Sequence, residues 1–184
     1  MFNFVINVYI DTAPERENQF DHPTVWKNFD EENTVVDTLD SINEAEVDES
    51  DQINVILIAT ATNQDKSVDV EIKDKLKGYL NRYDFDSYLF TNTDVEELSD
   101  QFETKYFSND GYSKIRTTGF VISYLLDGEY TIQIDDDELI RSGYLKKVKE
   151  IFRENKITAL TAPYEKNGSI TIDNEDNLES WPKF

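Results

Sequence analysis

Short apolar runs alternate along the chain with longer segments in which apolar residues recur at helical spacing. Residues 53–59 form a nearly continuous apolar run rich in β-branched side chains, which is typical of a strand covered on both faces. Val35, Leu39 and Ile42 follow one another at i, i+4 and i+7, which predicts one buried helix face. The predicted strands are 4–10, 53–59, 87–90, 130–134 and 157–162, with helical faces around 35–42, 72–83, 95–102, 115–126 and 144–152.

This alternation of strands and helices predicts the fold class. Helices between successive strands favour an α/β fold, in which a mostly parallel, Rossmann-like sheet lies between two helical layers. The dipeptide Asn167-Gly168 predicts a small C-terminal hairpin. A chain of 184 residues fits a single domain, with residues 1–162 as its main part and residues 163–184 as hairpin and acidic tail. A capping box is predicted where Thr93 precedes Glu96.

Composition excludes several functional classes. The chain has 39 acidic and 18 basic residues, a formal charge of −21, so a broad basic face for nucleic acid is not expected. It has no cysteine, which excludes disulfides and thiol chemistry. No apolar run approaches the ~20 residues of a membrane span, and the start lacks the features of a signal peptide. We therefore expect a cytoplasmic protein without a transmembrane segment. The sequence does not indicate its oligomeric state.

Four consecutive acidic residues, Asp135 to Glu138, follow the predicted strand 130–134. Because side chains alternate along an extended segment, Asp135 and Asp137 are expected on one side and Asp136 on the other. Neighbouring carboxylates repel unless a cation joins them, and oxygen ligands suit a hard divalent ion, Mn²⁺ or Mg²⁺. The alternative is an acidic cluster that favours the start of a following helix.

Other polar residues follow the predicted strands at the same edge. Ligands of open α/β sheets bind beyond the carboxyl ends of the strands, so Asp11 and the segment 60–62 are expected to share a crevice with the acidic cluster. Trp26 lies in the long polar segment 11–33, where it either closes over a ligand or packs against the domain edge.

The central third of the chain resembles a known family. The segment 111–119 reads GYSKIRTTG, residues 128–130 read GEY, and the following strand ends in Asp135-Asp136-Asp137. This order is similar to that of inverting family-two glycosyltransferases with the GT-A fold and its Asp-x-Asp motif. Two further segments agree: 7–10, which reads NVYI, and 38–42, which reads TLDSI.

The resemblance implies a function and a set of roles. It implies metal-dependent transfer of a sugar from a nucleotide-diphosphate sugar to an unknown hydroxyl acceptor, with inversion at the anomeric carbon. Asp135 and Asp137 would hold Mn²⁺ or Mg²⁺. Asp135 and Asp136 would also contact the nucleotide-sugar donor. The remaining donor-binding candidates are Tyr9, Asp11, Lys114 and Arg116.

Each of these four residues also has a simpler interpretation. Tyr9 either stacks on the nucleotide base or packs at the edge of the core. Asp11 either bonds the nucleotide or solvates its loop. Lys114 and Arg116 either pair with the diphosphate, which a guanidinium suits well, or lie solvated on a helix face.

The sequence does not identify a catalytic base, and it does not establish that the protein is catalytic. The family places its base well downstream of the metal motif. Here Glu175 and Asp176 faintly resemble that segment but come earlier in the chain, and the alternative is a solvated acidic tail; Asp173 is the next residue to consider. The chain after Asp137 is short for an acceptor-binding half, so a non-catalytic module that binds a nucleotide sugar is the first alternative. An acidic interaction protein is the second.

Overall fold

A computed structural model describes residues 1–11, 24–45, 48, 51–62 and 66–160, with the backbone of Glu165–Lys166 and Ser169–Ile170. The chain divides into two compact units, Met1–Lys146 and Lys147–Phe184. Asn167, Gly168 and the tail candidates Asp173, Glu175 and Asp176 lie outside the described residues.

The first unit contains a four-stranded, all-parallel sheet. Its strands are β1 (Phe2–Ile10), β2 (Ile53–Ala61), β3 (Asp86–Phe90) and β4 (Tyr130–Asp135), in the order β3-β2-β1-β4. Its helices are α1 (Val35–Asn43), α2 (Lys66–Leu80), α3 (Asn92–Phe102) and α4 (Tyr112–Leu125), and α5 (Tyr144–Asn155) begins at the end of this unit and belongs mostly to the second. The predicted α/β class, with helices flanking a parallel sheet in Rossmann-like layers, is confirmed. β5 (Glu165–Lys166) and β6 (Ser169–Ile170) pair antiparallel, as the predicted hairpin requires.

Both faces of the sheet are covered. On one face α4 lies directly on β1, because Gly119 has no Cβ: a Cβ there would collide with Val5 Cγ1. Nearby, Asn3 Nδ2 donates to the Ser123 backbone oxygen over 3.0 Å. The residues of β1 that alternate with Asn3 and Val5 are fully buried as well, so the opposite face is also covered.

The strand order reverses between β1 and β4. The chain builds outward from β1 to β2 and β3, and then returns through α3 and α4 to place β4 on the other side of β1. Such a reversal leaves a crevice at the carboxyl ends of the two strands, where the connecting helices leave in different directions. The register pairs Asn7 with Asp135, so β4 ends beside residue 7 of β1.

Beyond the end of β4, the backbone of Trp26 takes over the pairing with β1. Trp26 N donates to the Tyr9 oxygen over 2.8 Å, and Asp11 N donates to the Trp26 oxygen over 3.0 Å. The indole is buried, with Nε1 donating to the Glu31 oxygen over 3.1 Å. Trp26 thus packs at the end of the sheet.

The last residues of β2 extend beyond the end of β3, and a side chain at the start of α3 satisfies backbone hydrogen-bonding groups there. Asn92 Oδ1 accepts from Ala61 N over 3.1 Å, and Asn92 Nδ2 donates to the Ala61 oxygen over 2.8 Å. The capping box lies two residues before the predicted one: Thr91 is the N-cap, and its backbone N–H donates to Asp94 over 2.8 Å. The signature occurs twice in overlapping positions, and Thr91 is the residue that directly follows the strand.

The predicted strand 157–162 is wrong for the residues that the structure describes. Residues 157–160 have no strand structure, and Thr158, Ala159 and Leu160 are exposed. A short apolar run predicts a strand only if a neighbouring strand and helix cover it, and these side chains are not covered.

Candidate functional site

Asp135 ends β4 and forms an ion pair with α4. Arg116 Nη2 donates to Asp135 Oδ1 over 2.8 Å and to Oδ2 over 3.0 Å. The two side chains remain partly exposed, 44% for Arg116 and 22% for Asp135. One guanidinium nitrogen therefore contacts both carboxylate oxygens at the carboxyl end of β4, where the strand order reverses.

Asp136 faces the opposite way, as the alternation of side chains predicts, and is fully buried. Its carboxylate accepts from Thr24 Oγ1 over 2.6 Å and from Thr34 Oγ1 over 3.0 Å. Thr38 Oγ1 donates to its backbone oxygen over 2.9 Å. Asp136 therefore fastens the chain before α1, and α1 itself, to the end of β4.

Asp137 and Glu138 complete a tight turn after β4. Asp137 is exposed. Glu138 is half-buried, and its Oε2 accepts from the Asp135 backbone N–H over 2.9 Å. Burial raises the pKa of Glu138 above its ordinary value, and the negative charges of Asp135 and Asp137 raise it further. The charges of Asp135 and Asp137 therefore both act on Glu138.

The side chains at the end of β4 that could bind a metal ion suit a hard cation, but they are few. Asp135 and Asp137 offer carboxylate oxygens, the ligands that Mg²⁺ and Mn²⁺ prefer. Among the described residues, no group of three or more His, Cys, Asp or Glu side chains is arranged to hold a metal ion. A cation bound by these two residues would take its other ligands from water or from a phosphate.

Tyr9 lies behind the ion pair and belongs to the core. Its side chain is 1% exposed and packs edge to face against Tyr112, with ring centroids 5.0 Å apart. Burial, and next the charge of Asp135, raise the pKa of Tyr9 above its ordinary value. Stacking of Tyr9 on a base stays a prediction that requires Tyr112 to move aside.

Asp11 and Lys114 have partners of their own. Asp11 is 7% exposed, and its Oδ1 accepts from Thr62 Oγ1 over 2.8 Å, so the ends of β1 and β2 meet as the sequence predicts. Lys114 Nζ lies 2.6 Å from Asp110 Oδ2, one helical turn earlier. The structure thus joins Lys114 to Asp110, and it joins Arg116, not Lys114, to the acidic cluster.

The burial of two polar residues of the sheet, Asn7 and Thr60, was not predicted, although Thr60 lies in the segment 60–62 that the sequence places near the acidic cluster. Asn7 on β1 and Thr60 on β2 are at most 1% exposed, and among the described residues the Asn7 amide and the Thr60 hydroxyl have no hydrogen-bond partner. The sequence does carry a signal for Asn7, a polar amide in a strand whose neighbours are apolar on both sides. The missing partners could not be foreseen.

Fold and site define a Rossmann-like α/β protein with an acidic strand end and an arginine at the point where the strand order reverses. Comparison with family models, with curated proteins and with solved structures finds no match to this chain. The resemblance to family-two glycosyltransferases therefore stays a prediction from the sequence. Within the described part of the chain, no helix has the length and apolar character needed to cross a membrane.

Proposed function

We propose that this protein is a metal-dependent glycosyltransferase that takes a sugar from a nucleotide-diphosphate sugar and transfers it to a hydroxyl acceptor with inversion. The observation that carries the proposal is the position of the Arg116–Asp135 pair. It lies at the carboxyl end of β4, beside β1, where the strand order reverses. Open α/β sheets bind nucleotides at this position.

Arg116 is the group that favours an anionic ligand. The chain carries a net charge of −21, so a diphosphate needs a local positive charge to approach the site. A guanidinium has five N–H donors in a planar fork that matches phosphate oxygens. Nη2 makes both of the printed contacts with Asp135, and the guanidinium carries further N–H groups that suit a second anion. Lys114, two residues earlier and exposed, adds charge if it leaves Asp110.

Asp135 and Asp137 are the residues that would hold a divalent cation in this proposal. Such a cation, when bound, supplies Lewis-acid stabilisation of the charge that grows on the leaving diphosphate. Asp136 keeps the turn in place through Thr24 and Thr34, so that Asp137 projects outward. Asp11 and Tyr9, at the carboxyl end of β1, complete the set of donor-binding candidates, and Tyr9 would be reached only if Tyr112 moves aside.

A non-catalytic nucleotide-sugar-binding module is the second candidate, and it shares the binding half of this proposal. The observation in its favour is that Asp135 is ion-paired and Asp136 is buried under hydroxyls. Neither carboxylate is placed to take a proton from an acceptor, which a base must do over about 3 Å.

A thermal-shift screen of nucleotide-diphosphate sugars, with and without Mn²⁺, tests the binding half. At a ligand concentration about 100 times Kd the expected stabilisation is about 2.7 kcal/mol, roughly 5 to 10 °C for a chain of this size. Absence of any Mn²⁺-dependent shift across the donors would overturn the proposal. With the donor that binds best, release of nucleoside diphosphate on adding acceptors separates transfer from binding alone.

A further inference from the structure

Helix α4 presents large apolar side chains to solvent. Four of the nine large apolar side chains that are exposed in the described part of the chain lie on this helix: Tyr112, Phe120, Tyr124 and Leu125. Phe120 is 51% exposed and Tyr124 is 79% exposed. Single exposed apolar residues are ordinary on a protein surface, whereas a cluster of them on one element marks an interaction surface.

The exposed residues of α4 follow the spacing of a seam between two helices. Ser113, Thr117, Phe120 and Tyr124 are all exposed and follow one another at intervals of four, three and four residues. This is the narrow stripe along which two helices pair. We call these four residues the outer stripe, because the opposite side of α4 packs on the sheet through Gly119.

The absence of acidic residues distinguishes α4 from the other helices. Of the 184 residues of the chain, 39 are acidic, yet α4 is the only one of the five described helices without Asp or Glu. Two copies that each carry a charge of −21 repel one another, so a surface without acids favours their association. The proposed anion site does not account for the whole helix, because Tyr124 lies about 12 Å beyond Arg116 along the axis.

The two ends of α4 complement each other in charge and in size. Lys114 is exposed near the start of the helix, and Asp127 is exposed just after its end. Thr117 is small, whereas Tyr124 is large. In an antiparallel pair with a two-fold axis between residues 120 and 121, Thr117 of each copy meets Tyr124 of the other, and Lys114 meets Asp127. A parallel pair would instead place like charges together.

We propose that the outer stripe of α4 is a homodimer interface, which pairs antiparallel with the same stripe of a second copy of this chain. Contacts between identical surfaces about a two-fold axis are the commonest kind in soluble oligomers. Lys114 keeps its exposed contact with Asp110, because an ammonium has three N–H donors and also reaches Asp127 of the second copy. One helix pair buries less than the ~800 Å² per partner of a standard interface, so the dimer is weak.

Sedimentation velocity of the full chain tests the interface. Between about 1 µM and about 1 mM, the weight-average mass of the wild type is expected to rise from that of a monomer towards twice that mass. Phe120→Asp and Tyr124→Asp are each expected to weaken association at least about tenfold, because each places a charge in the desolvated seam. Val70→Asp makes the same charge change on an exposed apolar residue of α2 and is expected to behave as the wild type.

An exchange of charges tests the antiparallel direction. Lys114→Glu alone and Asp127→Lys alone each bring like charges together at both ends of the helix pair, so each is expected to weaken association. The double variant restores opposite charges and is expected to recover the affinity of the wild type to within about threefold. Lys75→Glu, on an exposed lysine of α2, controls for the change in net charge.

The opposite outcomes overturn the proposal. A wild-type chain that stays monomeric over the whole concentration range has no such interface, and a different partner or another part of the chain then covers the outer stripe. A dimer that Tyr124→Asp and Val70→Asp affect equally has its interface elsewhere. A double charge variant that associates no better than the single variants contradicts the antiparallel pairing. None of these measurements uses a ligand, so they decide on the dimer whether or not the proposed function holds.

Discussion

Arg116 Nη2 contacts both carboxylate oxygens of Asp135, at 2.8 Å from Oδ1 and 3.0 Å from Oδ2. The contact closes the end of β4 against α4, and at the same time it uses only part of the donor capacity of the arginine. The pair therefore serves the fold and leaves the arginine with further N–H donors, as the proposed binding of an anion requires.

Arg116→Lys is expected to weaken pyrophosphate or nucleoside-diphosphate binding about 10- to 100-fold, because a lysine cannot offer the planar fork and charge-assisted hydrogen bonds contribute about 1.5 to 3 kcal/mol. Isothermal titration calorimetry at fixed salt measures the change. Lys114→Met is the comparison: because Lys114 is paired with Asp110, we expect a smaller loss. A larger loss of affinity for Lys114→Met than for Arg116→Lys would make Lys114, and not Arg116, the main anion-binding residue.

Asp137→Ala is expected to abolish the Mn²⁺ dependence of donor binding and to leave the fold intact. Asp137 is exposed beside Asp136 and Glu138, so removing its charge relieves repulsion and does not lower the melting temperature in EDTA. Thermal shift with donor, with and without Mn²⁺, gives the answer. Asp100→Ala, an equal charge change on an exposed residue of α3, is the control. Undiminished metal dependence in Asp137→Ala would remove Asp137 from the metal site.

Asp136→Ala is expected to destabilise the protein by roughly 2 to 4 kcal/mol, because it leaves the hydroxyls of Thr24 and Thr34 without their charged acceptor. Urea unfolding at neutral pH measures it. Asp136→Asn retains one acceptor oxygen and should lose less. An Asp136→Ala effect within about 0.5 kcal/mol of wild type, the range of ordinary surface changes, would contradict the anchoring role.

Much of this arrangement follows from the sequence, and the reason is local. The continuous apolar run in β2 predicts a buried strand, and the helical spacing of Val35, Leu39 and Ile42 predicts a buried helix face. Likewise, alternation alone sends Asp135 and Asp136 to opposite faces. These features depend on neighbours along the chain.

The partners within the site depend on contacts distant in the chain. Thr24 and Thr34 meet Asp136 across 112 and 102 residues, and no pattern in the sequence marks them. Two overlapping capping signatures, at Thr91 and at Thr93, can be separated only by knowing where β3 ends. The predicted strand 157–162 failed because the apolar run itself contains no information on what covers it.

Asp94 gives the stability of the fold a definite pH dependence. Partial burial opposes its charge, but hydrogen bonds from Lys73 and Thr91 outweigh burial and lower the pKa of Asp94 below its ordinary 3.8. A carboxyl with a lowered pKa in the folded state stabilises the fold above its ordinary pKa and loses that contribution as pH falls. Asp94→Asn should therefore destabilise at pH 7 and much less near pH 3.

Urea unfolding of wild type, Asp94→Asn and Asp100→Asn at both pH values tests the sign. Asp100 lies exposed on the same helix and controls for the loss of a negative charge. A difference between wild type and Asp94→Asn that grows towards acid would contradict the expected linkage.

Gly119→Ala is expected to cost about 1 to 3 kcal/mol, because the new methyl group collides with Val5 and crowds Ile58, 3.3 Å away. Gly78→Ala is the matched change, in a helix where a Cβ meets nothing within 4 Å. It should stabilise by roughly 0.5 to 1 kcal/mol. Chemical unfolding of both variants measures the difference, and equal effects would mean that α4 can move away from the sheet.

The amide of Asn92 acts as a substitute peptide group at the end of β2. By accepting from Ala61 N and donating to the Ala61 oxygen, it occupies hydrogen-bonding positions that would otherwise be open beyond the short β3. Open strand edges recruit other strands, which is how native-like chains begin to aggregate. In this protein, a single side chain at the start of a helix protects that stretch of β2 from pairing with a foreign strand.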